Sequence, residues 1–354
     1  MGKTVMVAMS GGVDSAVTAW LLARQGYDCV GVTMRLHDEA SGDGGSDENE
    51  ENARSVARRL GIPHTVLDLR REFDENVIRP FADAYERGDT PNPCVVCNRF
   101  LKFGELLRRA REAGADYVAT GHYARICFTP STSRWAVRKG LDAARDQSYV
   151  LASLTQDQLS RTLFPLGRLT KAEVRRVAEE RGFVNARKRD SQDICFVPDG
   201  DYAAFLERYA GKTYPSGDIL DENGRVLGKH RGAVRYTIGQ RKGLGVSAPT
   251  PLYVCGKSVR ENTVTLGSNA SLFRRVLLSN DWVWEAIAPP ETPFRALAKV
   301  RYRHAEAPAA VEPSPDGTVR ICFDAPQRAI TTGQAVVLYG KDTVLGGGTI
   351  TAVE

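Results

Sequence analysis

The chain has 354 residues, 42% of them hydrophobic and 26% charged, which excludes a disordered, collagenous or fibrous polymer and leaves room for two or three domains with full cores. Its 48 Lys and Arg against 43 Asp and Glu give a formal +5, a mild excess that favours an acidic partner such as nucleic acid without naming one. Seven cysteines, scattered from Cys29 to Cys322, do not read as a disulfide framework. Residues 1–3 lead straight into a strand-like run. There is no signal region and no stretch near the roughly 18 apolar residues of a membrane helix, so a reducing cytoplasm is the expected compartment.

In chain order, residues 4–9 form a short apolar run, a Gly turn follows, 16–25 have helical spacing and 28–34 are a second apolar run, a β-α-β pattern. Residues 38–51 hold seven acids and no base; with nothing to bury, this Gly-rich stretch is expected to be a mobile loop. Residues 52–60 read as helix, 64–69 as strand, 101–113 as helix and 117–120 as strand, and such alternation implies an α/β domain with a parallel sheet. A further amphipathic helix over 171–181 is capped by Thr170 and stopped by Gly182. After Cys195 the texture changes. Residues 201–209 still read as helix, but from 217 short strands alternate with Gly turns, and 225–245 carry six bases and no acid. Candidate strands at 294–302, 319–323, 335–339 and 343–350 suggest a closing small barrel or sandwich. The expected domains are 1–200, 201–268 and 269–354.

Ser10-Gly11-Gly12-Val13-Asp14-Ser15 lies at the first strand-to-helix turn, where glycines allow close backbone approach and a helix N-terminus offers N–H groups to an anion. It has neither the Walker spacing nor the dinucleotide fingerprint. Ala8, Met9 and Met34 at the ends of neighbouring strands, and Gly121 after a third, are placed to line an adenosine pocket. Cys94 and Cys97 form a Cys-x-x-Cys in a proline-stiffened segment before a helix, whose N-terminus lowers thiol pKa. A structural zinc would ordinarily need a second cysteine pair, and none follows. Read without further context, Cys195 is a buried small hydrophobe, His122 a satisfied structural histidine and Arg301 a surface strand residue.

The loop resembles the SGGxDS loop of the ATP pyrophosphatase superfamily. SGGVDS, TPNPCVVCNRFLKFG (90–104), ATGHYAR (119–125), DQSYVL (146–151), DSQDICF (190–196), YTIGQRKGLG (236–245), RYRH (301–304), AITTGQAVVLY (329–339) and LGGGTI (345–350) stand in the order and spacing of the bacterial tRNA-specific 2-thiouridylases. The resemblance spans nearly the whole chain, the acidic stretch excepted. It implies an adenine-nucleotide alpha-hydrolase-like domain, a small central domain and a C-terminal β-barrel. It also implies adenylation of O2 of the tRNA wobble uridine by ATP with Mg2+, then replacement of that oxygen by sulfur.

On the same pattern, Ala8, Met9, Ser10, Gly11, Gly12, Val13, Asp14, Ser15, Met34 and Gly121 bind ATP, with Asp14 helping to place magnesium. Cys195 carries the persulfide, Cys97 is its nucleophilic partner, and a transient disulfide between them needs a reductant; a persulfide donor protein supplies the sulfur. Asn92, Pro93 and Cys94 face the target base. His122, Arg145, Asp146, Gln147, Arg301, Tyr302 and Gln334 touch tRNA. Many members carry Asp where this chain has Cys94, which leaves the acid-base group unassigned. The alternatives are a 4Fe-4S cluster on Cys94, Cys97 and Cys195, a synthetase that adenylates another substrate, or a nonenzymatic ATP- or RNA-binding module.

Overall fold

The computed structural model describes residues 2–37, 45–186, 188 and 194–354, with the side chains of 45–47 left aside. Five parallel strands run in the order β3 (His64–Asp68), β2 (Asp28–Arg35), β1 (Thr4–Ala8), β4 (Tyr117–Ala119), β7 (Thr162–Leu163). Val5 and Val7 point to one face, among α1 (Val13–Arg24), α2 (Gly45–Leu60) and α6 (Lys171–Glu180). Met6 and Ala8 point to the other, against Phe103, Leu106, Leu107 and Ala110 of the helical run α4 (93–112). Full burial on both faces explains why these strands read as continuous apolar runs rather than alternating ones, and each buried valine contributes about 1.5–3 kcal/mol. Because β2 and β4 flank β1 on opposite sides, the topological switch point falls at the carboxyl ends of β1 and β4, the place where open α/β sheets bind ligands.

Two expectations on this domain are corrected. Residues 45–51 of the acidic stretch are helical: α2 begins at Gly45, not at residue 52, while 38–44 lie outside the described residues. Its acids are answered by base partners, Glu50 by Arg35 at 2.8 Å and Arg54 at 2.6 Å, Glu48 by Lys188 at 3.1 Å. The helix at 101–113 starts earlier too, at Pro93 with Asn92 as its N-cap. A helical run α3 (70–87) was not anticipated.

A second sheet, β10 (Tyr253–Ser258), β11 (Thr263–Gly267), β8 (Gly217–Asp221), β9 (Val226–His230), forms the central unit. The C-terminal strands β12 (Phe273–Trp284), β15 (Val319–Arg328), β14 (Ala307–Pro313), β13 (Phe294–Lys299), β16 (Ala335–Gly340) and β17 (Thr343–Val353) close into a six-stranded barrel through the β12–β17 pairing. An unforeseen hairpin, β5 (Ala124–Thr129) and β6 (Arg134–Lys139), leaves the first domain and joins the barrel sheet at Thr343. The two bodies share one core: Ala335, Val337, Tyr339 and Val344 of the barrel pack with Met6, Phe103, Tyr149 and Leu151. Tyr149 Oη donates to the Ala335 carbonyl at 2.7 Å, so the DQSYVL motif is largely a docking segment.

Glu285 sits wholly inside this junction, its Oε2 accepting from the Val137 amide at 2.8 Å, with the Leu154 amide also turned to the carboxyl. Burial holds its carboxyl well above the usual range, so the folded protein keeps a proton there that the unfolded chain releases. Stability therefore falls as pH rises from the ordinary carboxyl value toward the raised one, by about 1.4 kcal/mol per pH unit in that window. Glu285→Gln, neutral at every pH, is expected to melt higher than the parent at pH 8 with the gap closing toward pH 5, as read by thermal unfolding.

Candidate active site

The turn after β1 enters α1 with Gly12 as an N-cap that lacks a side-chain hydrogen bond, so the first helical N–H groups stay open to an anion. Gly11 has φ +70, and a Cβ on it would lie 2.2 Å from the Asn49 carbonyl oxygen, so α2 presses its backbone onto the loop. Asn185 Nδ2 donates to the Gly11 carbonyl at 2.9 Å. Ser15 Oγ donates to the Gly12 carbonyl at 2.9 Å and accepts from the Ser10 amide at 3.2 Å, which shapes the loop from within. Ser10 stays exposed, whereas Ala8, Met9 and Val13 are buried and Met34 half-buried. Gly121 is packed on the loop's far side, where a Cβ would meet the Asp14 Cβ at 2.9 Å.

Asp14 departs from expectation. Both its oxygens accept from Lys171 Nζ at 2.8 Å, and Oδ1 also accepts from Tyr123 Oη at 2.7 Å. As placed it fastens the loop to α6 and to the ATGHYAR segment rather than offering magnesium an open carboxylate. Lys171 is buried beneath the loop; a lysine at the first position of a helix capped by Thr170 carries no sequence signal that would single it out.

The thiols gather at the same edge of the sheet. Cys97 is buried in a separate small core with Phe73, Phe81, Leu101, Phe196 and Val197, against which Met34 and Leu67 at the ends of β2 and β3 also pack. Phe196 wedges between Phe81 at 5.2 Å, Phe73 at 5.6 Å and Phe205 at 5.1 Å between ring centroids. That anchor, on the helical run 70–87 and the helix 202–210, seats Phe196 in the same core as Cys97. Cys195 keeps an exposed edge, as does Cys94, yet protein around its sulfur, and then the neighbouring Cys97, push its thiol up to about 12. Residues 190–193 of the DSQDICF motif lie outside the described residues. Burial also raises the Cys97 thiol, with Cys94 adding to the effect. The expected depression by a helix N-terminus is thus overridden: Cys97 lies a full turn inside the helix, where desolvation outweighs the dipole.

Lys102 opposes that rise at both Cys97 and Cys195. In a regular α-helix a residue five positions on is rotated about 140° out of line. Here residues Asn98–Glu105 are π-helical, the Leu106 amide reaching back five residues to the Leu101 carbonyl, and the wider turn aligns Lys102 with Cys97. Half-buried, Lys102 has no ion pair among the described residues. Lys102→Met is expected to slow iodoacetamide labelling of Cys97 and Cys195 at pH 8 by about tenfold, one unit of thiol acidity, and Lys102→Arg to restore it.

Around Cys94 the structure unites groups from distant segments. Asn92 Oδ1 accepts from the Cys94 amide at 3.2 Å, Pro93 is buried, and Cys94 faces out. Tyr302 stands within electrostatic reach of Cys94, Arg145 and Asp146. It is exposed and lies beside Tyr149, with Lys299 Nζ 5.9 Å from its ring centroid. Asp146 is engaged by the Gly140 and Ser148 amides, at 2.9 and 3.1 Å, and Gln147 Oε1 by the Tyr123 amide at 2.9 Å. Three expected tRNA contacts have protein partners as placed, His122 buried and Arg301 and Gln334 half-buried. His122 is buried, Nδ1 sharing a hydrogen bond with Thr120 Oγ1 at 2.7 Å between Phe103 and Phe164, and burial drives its pKa well below the ordinary value. Arg301 and Gln334 spend their donors on protein carbonyls. Arg225, Arg231, Arg241 and Lys242 of the basic run are exposed without an ion pair among the described residues, whereas Lys229 and Arg235 are paired with acids.

Among the described residues no three His, Cys, Asp or Glu side chains are grouped as a metal ion requires. No described helix is long and apolar enough to cross a membrane.

Comparison with known proteins gives the family. Residues 3–199 match the model described as the tRNA methyl transferase HUP domain, 203–268 the tRNA methyl transferase PRC-barrel domain and 274–350 the aminomethyltransferase beta-barrel domain. The tRNA-specific 2-thiouridylase MnmA of Clostridioides difficile is 46% identical over 99% of this chain and 98% of its own length. That of Heliobacterium modesticaldum is 49% identical over 99% and 93%. The chain belongs to the tRNA-specific 2-thiouridylase family. Among solved structures, the U34-tRNA thiolase NcsA from Methanococcus maripaludis with its 4Fe-4S cluster is 18% identical, with a TM-score of 0.36, over 58% of this chain and 66% of that one. In this thiouridylase, then, the nucleotide loop at the switch point and the thiol core share one edge of one sheet.

Proposed function

We propose that this thiouridylase converts the wobble uridine of tRNA to 2-thiouridine, using ATP to activate O2 and a cysteine persulfide as the source of sulfur. The observation that carries the reading is that Cys195 lies within electrostatic reach of Cys97, next to a core that also receives Met34 from the end of β2. The uridine O2 attacks the α-phosphorus, pyrophosphate leaves, and a poor leaving oxygen becomes part of AMP. Open N–H groups at the start of α1 suit the phosphates. With sulfur delivered to Cys195 as a persulfide, the Cys97 thiolate attacks the inner sulfur and a Cys97–Cys195 disulfide forms. The hydrosulfide released adds at C2, AMP departs, and a reductant returns both thiols. Raised thiol pKa values keep the pair protonated between turnovers, and Lys102 provides the nearby positive charge when the Cys97 proton leaves.

The exposed bases Arg225, Arg231, Arg241 and Lys242 suit sequence-independent phosphate contact, and Tyr302 beside Cys94 suits stacking on an unpaired base. The test is incubation of tRNA lacking the modification with the protein, ATP and a low-molecular-weight persulfide, followed by mass spectrometry of digested nucleosides. Formation of 2-thiouridine only with ATP and persulfide both present is the expected result. Pyrophosphate release without any thionucleoside would place the chain among adenylating enzymes of other chemistry.

A further inference from the structure

Lys299 ends β13 at the rim of the junction between the barrel and the first domain. Strand alternation sorts the row: Ala298 and Val300 belong to the barrel's own core, while Leu297 and Lys299 point the other way, paired with Tyr339 and Val337 of β16, which lie in the shared interior. Leu297 packs against that interior. Lys299, two residues on, reaches its edge beside Tyr302, which is 39% exposed. The ammonium there is half-buried and makes no hydrogen bond or ion pair among the described residues. Two rings flank it, with Nζ 5.8 Å from the Tyr149 centroid and 5.9 Å from that of Tyr302, the outer limit of a cation–π contact, where little of the lost hydration is offset. Both acids in its field are engaged elsewhere. Asp146 accepts from the Gly140 amide, the Ser148 amide and Ser148 Oγ at 2.9, 3.1 and 2.7 Å, and Glu306 is held by Lys139. Burial holds the Lys299 pKa below the ordinary lysine value, which accords with a charge that the protein itself does not neutralise.

A half-buried cation at a rim calls for an anion from outside, and the exposed tyrosine beside it indicates which. Single-stranded nucleic acid is bound by this combination, an aromatic face for a base and a positive charge for the backbone next to it. Tyr302 also stands within electrostatic reach of Cys94, on the segment expected to face the target base. We propose that Lys299 is a phosphate-binding residue: it takes the phosphodiester that adjoins the splayed wobble nucleotide, and so sets how far the uridine reaches toward Cys94. This rests on the reading that the wobble uridine is the substrate, and adds the point at which its backbone is gripped. The exposed bases of the 225–245 run are spread over open surface, whereas Lys299 is sheltered beside two rings and accepts one phosphate in one place.

The test uses the full-length protein and tRNA assembled with a single uncharged methylphosphonate at each anticodon-loop phosphate in turn. Lys299→Met keeps the length of the side chain and removes its charge. It is expected to weaken binding of tRNA with a natural backbone about tenfold at low salt, the worth of one charge-assisted hydrogen bond, and to lower the slope of log affinity against log salt by about 0.7, one single-strand phosphate. Its thermal midpoint should hold or rise, because the uncompensated desolvation leaves with the charge, and Lys299→Arg should keep the slope. At one phosphate beside the wobble position, the methylphosphonate should cost the parental protein about tenfold and Lys299→Met nothing further, the signature of two groups that meet each other. The proposal is overturned if Lys299→Met has the parental slope, whether or not its thermal midpoint falls. It is equally overturned if every methylphosphonate costs both proteins alike. Absence of 2-thiouridine from the parental protein with ATP and persulfide present would instead sink the wobble-uridine reading, while the salt slopes still decide whether Lys299 meets a phosphate.

Discussion

Cys97→Ala and Cys195→Ala are each expected to abolish 2-thiouridine formation while tRNA affinity stays within about twofold, since phosphate contacts carry most of that affinity. Both thiols are needed because the proposed disulfide forms between them, so neither variant should be rescued by raising the concentration of the other reactants. Pyrophosphate release should continue in both, at least in the first turnover, because adenylation precedes sulfur. Nucleoside mass spectrometry and filter binding on the same preparations separate these effects. Normal 2-thiouridine from either variant would remove that cysteine from the chemistry. The raised thiol of Cys195 adds a pH signature. Labelling of Cys195 by iodoacetamide should climb steadily through pH 9 and 10, where an ordinary cysteine would already be levelling off.

Lys171→Met should damage the nucleotide site more deeply than any loss of a surface base. Both Asp14 oxygens depend on the Lys171 ammonium, and its side chain is only 10% exposed. Removing one partner of such a pair leaves a carboxylate without its counter-charge, at a cost of about 3 kcal/mol, the low end for buried pairs because Asp14 itself keeps some solvent. The expected result is a clear drop in thermal midpoint and a loss of tRNA-dependent pyrophosphate release of about a hundredfold, from a loop that no longer holds its N–H groups in place. Lys171→Arg should recover stability better than activity. Pyrophosphate release near the parental rate in Lys171→Met would show that the loop keeps its form without this tie.

The elements that were legible in advance are those whose signals are local. A Thr170 cap and a Gly182 stop marked α6, and the cap forms, as one half of a capping box whose other half is Glu173. Apolar runs marked β1 and β2, and the glycines marked the turn between them. What stayed hidden depends on partners far away in the chain. Nothing local tells that Arg301 reaches the Ala329 and Ile238 carbonyls, because β13 ends at Lys299 and a side chain just past a strand reads alike whichever way it turns. His122, read blind, is a structural histidine, and the buried ring between two phenylalanines agrees with that reading more closely than with the contact the family pattern suggested. The acidic stretch misled because its charges were counted without their partners: Arg35 and Lys188, at opposite ends of the domain's sequence, turn part of a repelling run into a helix cap over the nucleotide loop. The alignment of Lys102 with Cys97 was illegible for another reason, since it needs a π segment that helical periodicity assumes away.

The core shared by the first and last strands bears on when this protein can begin to work. Val344 near the end of the chain fills the same interior as Met6 near its beginning, so the core on the α4 face of the sheet stays incomplete until the barrel strands have been made. At about 5–20 residues per second, the ribosome leaves that face waiting for some tens of seconds. A nascent chain therefore holds its thiol helix on an unfinished base, and premature termination before β17 removes Val344 from that core and the Ile350 bonds that hold the turn at Gly333 and Gln334. The interior that joins the chain's two ends is filled only when the final strand is in place.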